Sequence, residues 1–94
     1  MNLVSAQANP LYVGVGMRYT TIQAAINNAT AGATIFVYNG TYYEHVNITK
    51  TVSLVGQNRD STIIDGAFNG TVVTSNASYS SIRGFTIRNG GIHR

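Results

Sequence analysis

Three carboxylates, two imidazoles and six cations make up the charged chemistry of this 94-residue chain. Glu44 lies just beyond a glycine turn, Asp60 sits in a polar stretch, and Asp65 precedes Gly66 where an Asx-type turn is expected. Cutting a polysaccharide bond would need two carboxylates converging on it, or a carboxylate beside an arginine on an adjacent layer of chain. The linear spacing brings no such pair together, so the expectation is a chain that is not an enzyme and carries no cofactor. His45 and His93 belong to different parts of the chain, and there is no cysteine. A metal site draws three or four ligands from His, Cys and carboxylate, so no metal is expected either. Gly14-Val15-Gly16 and Gly90-Gly91 lack both the Lys-Ser/Thr ending of a phosphate loop and the strand-to-helix dinucleotide pattern.

The motif present in excess is the Asn-x-Ser/Thr sequon. Five occur, at Asn28, Asn39, Asn47, Asn69 and Asn76. Composition alone would give roughly two, so these asparagines are candidate N-glycosylation sites on an exported chain, Asn39 and Asn69 being best placed on turns. Turn chemistry accounts for Asn39-Gly40 and Asn69-Gly70 equally well. Six tyrosines, at 12, 19, 38, 42, 43 and 79, suggest either an aromatic platform for sugar or rings packed at strand edges with wet hydroxyls.

Charged residues make up 10% of the chain, against about 25% for ordinary soluble domains, so much of the surface is expected to lie under neighbours or glycan. The net charge of +3 comes from scattered residues, Arg18, Lys50, Arg59, Arg83, Arg88 and Arg94. No basic cluster or nucleic-acid module is visible, and no nucleic-acid partner is expected. No apolar run approaches the ~18 residues of a membrane span.

The elements that must position these groups are short. Apolar runs at 35–38, 46–48, 52–55, 62–64, 72–74 and 85–87 recur about every ten residues between polar and glycine-bearing turns. Strands this short suit a parallel solenoid better than a sandwich, whose strands usually run about 5–6 residues. Upstream, 11–15 reads as a strand. Thr20 with Gln23 reads as a capping box opening a helix over about 21–30, with Ile22, Ala25, Ile26 and Ala29 on one face and Gly32 as its C′ residue. So short a helix needs a surface to lie on, and the end of the first coil supplies one.

The stretch from Tyr19 to Gly66 resembles the start of the pectin lyase-like right-handed parallel β-helices, and is similar to pectin methylesterases and to secreted archaeal parallel β-helix repeat proteins. The residues that carry the likeness are Thr21-Ile22-Gln23-Ala24-Ala25-Ile26, Gly40-Thr41-Tyr42-Tyr43-Glu44, Val55-Gly56 and Ile63-Ile64-Asp65-Gly66, with Gly84-Phe85-Thr86-Ile87-Arg88-Asn89 as one later repeat. The resemblance implies an all-β, right-handed parallel β-helix of about two coils with one N-terminal capping helix. In that family the catalytic Gln, Asp and Arg residues, and the calcium-binding Asp residues, lie on coils beyond this stretch, so no position here inherits them.

The expected organisation is an arm or signal-peptide remnant over 1–10 and a β-helix domain over 11–94, with coils from about 34 to 94. The expected function is a non-catalytic, extracellular structural subunit that stacks end to end into a surface fibre. Its candidate interface is Ile82, Phe85 and Ile87 at one end and Leu11 and Val13 at the other. Two alternatives stand beside it: the N-terminal piece of a larger polysaccharide esterase or lyase, and a carbohydrate-binding surface module.

Overall fold

The computed structural model describes residues 10–68 and 70–93, with backbone alone for 91–93. Ten strands and one helix follow in the order β1 (Leu11–Val13), α1 (Ile22–Asn28), β2 (Ala33–Val37), β3 (Gly40–Tyr43), β4 (Val46–Ile48), β5 (Val52–Gly56), β6 (Thr62–Asp65), β7 (Thr71–Ser75), β8 (Ser81–Arg83), β9 (Thr86–Arg88) and β10 (Gly91–His93). They form three parallel sheets: sheet A in the order β1-β2-β5-β8, sheet B in the order β3-β6-β9, and sheet C in the order β4-β7-β10. Each coil contributes one strand to each sheet, which makes the chain a parallel β-helix of about three turns.

Alternation with period two decides what faces inward. In β2 the side chains of Ala33, Ile35 and Val37 are buried while Thr34 and Phe36 face out, and β5 repeats the pattern with Val52, Leu54 and Gly56 inside. Register then stacks like on like. Leu11, Ile35, Leu54 and Ile82 form one inner column of sheet A, and Tyr42, Ile64 and Ile87 one of sheet B. Each column buries apolar area at every rung, at about 25 cal/mol per Å2, and this is the main driving term for the fold.

The turn count exceeds the two suggested by the spacing of apolar centres. β3 reads as a turn in sequence because only Tyr42 of its four residues is buried. β10 falls in a Gly-Gly stretch that carries no strand signal. The corners also differ between coils. The middle coil turns through five residues at each corner (57–61, 66–70 and 76–80), against two or three in the first coil (38–39, 44–45 and 49–51). Where β5 and β8 end, Gly56 and Gly84 meet backbone to backbone, and a Cβ on Gly56 would collide with the Gly84 carbonyl.

The helix is shorter than expected and begins one residue later. Thr21 is its N-cap, its hydroxyl accepting from Ala24 N, and Ala29 is its C-cap. Gly32, with φ of 90°, instead turns the chain into β2, its N–H donating to the Thr51 carbonyl. Ile22, Ala25 and Ile26 are fully buried, and α1 packs on β4, β1 and β2. No helix among the described residues is long and apolar enough to cross a membrane.

Candidate functional site

Glu44 and Lys50 engage the helix and Asp65 pairs with Arg88 on the next coil, while Arg18 lies over the ring of its neighbour Tyr19. Glu44, at the corner between β3 and β4, accepts from the first backbone donors of α1: Ile22 N to Oε2 at 2.9 Å and Gln23 N to Oε1 at 3.1 Å. At the other end of the helix, Lys50 Nζ donates to the Asn27 and Ala29 carbonyls at 3.0 and 2.7 Å. A carboxylate at the N-terminus and an ammonium at the C-terminus satisfy orphan backbone groups and complement the helix dipole. Burial, and secondarily the Glu44 charge, pushes the Tyr42 hydroxyl above the usual tyrosine value.

Gln23 does not close a capping box. Its side-chain amide lies against β4 as a further peptide group would: Asn47 N donates to Gln23 Oε1 at 2.7 Å, and Gln23 Nε2 donates to the Asn47 carbonyl at 3.0 Å. With Glu44 already on the first helical N–H groups, the glutamine serves better by finishing the exposed edge of β4. On the far side, Asn76 Nδ2 donates to Asn47 Oδ1 at 3.1 Å, so amides follow one another across successive coils.

Asp65 is the one described carboxylate in an ion pair, with Arg88 Nε 3.0 Å from its Oδ2. Asn89 Nδ2 donates to both carboxylate oxygens at 2.9 Å, and Ala67 N donates to Oδ1 at 2.8 Å, the Asx-type turn expected there. These bonds hold the carboxyl below its usual range, the Asn89 amide most strongly, then the Ala67 N–H, against the opposing effect of burial, with Arg88 adding to the lowering.

A carboxylate beside an arginine on an adjacent coil is the arrangement that linear spacing did not place together. Sequence comparison could have found it: setting Thr62–Asp65 against the later repeat puts Asp65 opposite Arg88, which is the observed register. Its chemistry is nonetheless that of a clamp. Both oxygens are occupied by the chain's own donors, and a depressed pKa makes a poor general base.

The remaining candidates are dispersed. Asp60 is exposed in the 57–61 corner, its N–H bonded to Asn58 Oδ1. His45 is exposed with Nδ1 2.8 Å from the Thr71 carbonyl, a contact that calls for the Nδ1–H form. His93 lies on β10, and its side chain is outside the described atoms. Among the described residues no three His, Cys, Asp or Glu side chains gather where a metal could bind.

Of the sequon asparagines, 28, 39, 47 and 76 are exposed, and Asn69 lies outside the described residues. Asn28 Nδ2 donates to the Ala24 carbonyl and Asn76 Nδ2 to Asn47, while Asn39 uses its oxygen, accepting from Thr62 Oγ1 at 3.1 Å. Ile82, Phe85 and Ile87 are half-buried on the last coil and pack against the core. Leu11 and Val13 point into the core from β1, so any contact made there with another chain uses the backbone edge of that strand.

In comparison with known proteins, no family model, curated protein or solved structure matches this chain.

Proposed function

We propose that this chain is a non-catalytic structural β-solenoid, an extracellular subunit that assembles end to end through its last coil. The inequality of its two ends carries the reading. One end has a docked helix held at both termini and a glutamine amide finishing β4. At the other, β8 and β9 have no strand beyond them among the described residues, and Ile82 and Ile87 lie half-buried on those edges. Unpaired edges of this kind invite pairing by another chain. On the capped end, β3 is the outermost strand of sheet B, while α1 packs on β4, β1 and β2. Continuing sheet B from β9 of one copy to β3 of the next gives a heterologous contact, which propagates as a filament unless the rotation closes. The saturated state of Asp65 supports a structural role over a catalytic one. The residues quoted above support kinship with the pectin lyase-like β-helices, and the sequons support a glycosylated, exported form.

Sedimentation velocity over a wide concentration range tests the proposal. The expected result is a distribution that moves to larger species with concentration and returns towards monomer in Ile87→Lys. A monomer at every concentration overturns it.

A further inference from the structure

The outer face of sheet A differs from the rest of the surface. Tyr12, Phe36 and Tyr38 form a closed aromatic cluster there. Phe36 packs edge-on to Tyr38 at 5.2 Å and to Tyr12 at 6.1 Å, while the Tyr12 and Tyr38 rings lie within 26° of parallel at 6.1 Å. Tyr38 is seated against Gly14, where an added Cβ would crowd the Tyr38 Cβ at 3.2 Å and its ring at 3.3 Å. Tyr12 keeps 41% of its surface exposed. Register extends the face down the stack: Tyr12, Phe36, Val55 and Arg83 form one outward row, and Ser53 and Ser81 lie in the row beside it. Its charged member is Arg83, and no Asp or Glu lies on any sheet A strand.

From this we infer that the outer face of sheet A is a binding site for a chain of neutral pyranose sugars. Three observations converge on that ligand. Tyr12 and Tyr38 lie within 26° of parallel and Tyr12 is partly wet, and an aromatic ring presented this way takes the C–H face of a pyranose while its hydroxyl stays in solvent. Ser53, Ser81 and Arg83 supply hydroxyl and guanidinium partners for sugar hydroxyls without the charge density that would select a polyanion. The rungs repeat at about 4.8 Å, close to the advance of one sugar unit in an extended glycan, so successive sugars could meet successive coils. Six tyrosines were candidates in the sequence for an aromatic platform, Tyr42 and Tyr43 among them. Tyr42 is instead buried with its hydroxyl on the Tyr38 carbonyl, and Tyr43 stands outside the ring cluster. Sheet A faces sideways from the coil axis, so the site is presented by a monomer and by an end-to-end polymer alike.

The chain has no tryptophan, so its intrinsic fluorescence comes from tyrosine and reports ring environment directly. Cellohexaose, mannohexaose and maltohexaose titrated into the whole chain should give a saturable change with at least one. Tyr12→Ala should weaken that binding about tenfold or more. Tyr12→Phe, which keeps the ring, and Tyr43→Ala, at a 72% exposed position on sheet B, should both retain it. Should Tyr12→Ala fail to fold, Ser81→Glu at an exposed position places a carboxylate on the face and should weaken binding comparably. No saturable response to any of the three sugars overturns the inference, and so does full binding by a folded Tyr12→Ala or Ser81→Glu.

Discussion

The two ends of this solenoid are built on different principles. At the N-terminal end the edge of β4 is answered by side chains, β3 alone staying outermost in its sheet: Glu44 and Lys50 hold the helix, and Gln23 supplies one peptide-like amide to β4. Among the described residues, the inner columns have their last members in Ile82 and Ile87, both half-buried, where the same columns one coil earlier hold fully buried Leu54 and Ile64. The difference teaches that burial in a β-helix comes from the neighbouring coil more than from the strand's own sequence. An end is stable to the extent that something replaces that neighbour.

The strongest way to break the contrast is Ile26→Asp, which places a charge at a fully buried helix position. It should cost about 4 kcal/mol or prevent folding, read by urea unfolding. A small loss, no greater than that of Gln23→Ala, would mean that the helix is not docked as described. Next comes a pair on one column. Leu54→Ala, between Ile35 and Ile82, should cost about 2–5 kcal/mol, and Ile82→Ala distinctly less because its site is already partly open. Equal losses would remove the distinction between middle and end. Smaller again are the helix clamps: Glu44→Ala and Lys50→Ala should each cost about 1 kcal/mol, with salt weakening both contributions.

The finest test uses pH. Because the Asp65 carboxyl is held below its usual range, its native pKa lies under its unfolded one. Its bonds therefore stabilise the fold at neutral pH and are lost as pH falls through the native value. The gap in urea midpoint between the unmodified chain and Asp65→Asn should thus narrow towards strongly acid pH. A gap that stays constant would show that the carboxylate charge contributes nothing.

The solenoid was legible in the shortness and roughly ten-residue recurrence of its apolar runs, and the capping helix in its apolar spacing. Ile22, Ala25 and Ile26 recur at helical spacing, and the alternation of inward residues in 33–37 and 52–56 accounts for why the short runs become stacked strands. What escaped was whatever depends on which coil lies above which. The glutamine reads as half of a capping box until Glu44, 22 residues from Ile22, is seen to occupy the helix N-terminus first. The Asp65 clamp is invisible in linear spacing because Asn89 stands 24 residues away, and only register brings them together. β3 was hidden for a related reason. Its Gly40 and its outward Thr41 and Tyr43 resemble a turn, yet the strand is fixed by pairing with β6.

The unequal corners have a consequence for how this molecule could change over evolutionary time or be altered at the bench. The middle coil carries five-residue corners, yet β5 and β6 keep an unbroken register with the coils on either side and only β7 slips, against β10 between Gly91 and Ile92, so in sheets A and B length at a corner is decoupled from register in the wall. Two of those corners already display a large side chain outward, Phe68 and Tyr79, each on left-handed backbone. Closing a somewhat longer loop costs little, about 0.6 kcal/mol for each doubling in length. In the 76–80 corner Asn76, Ser78 and Ser80 are bonded to the coil before, so a foreign epitope or recognition peptide belongs only at the exposed Tyr79. The 66–70 corner, tied down through Ala67 and Phe68 to the Asp65 and Asn89 clamp, is the one to leave alone.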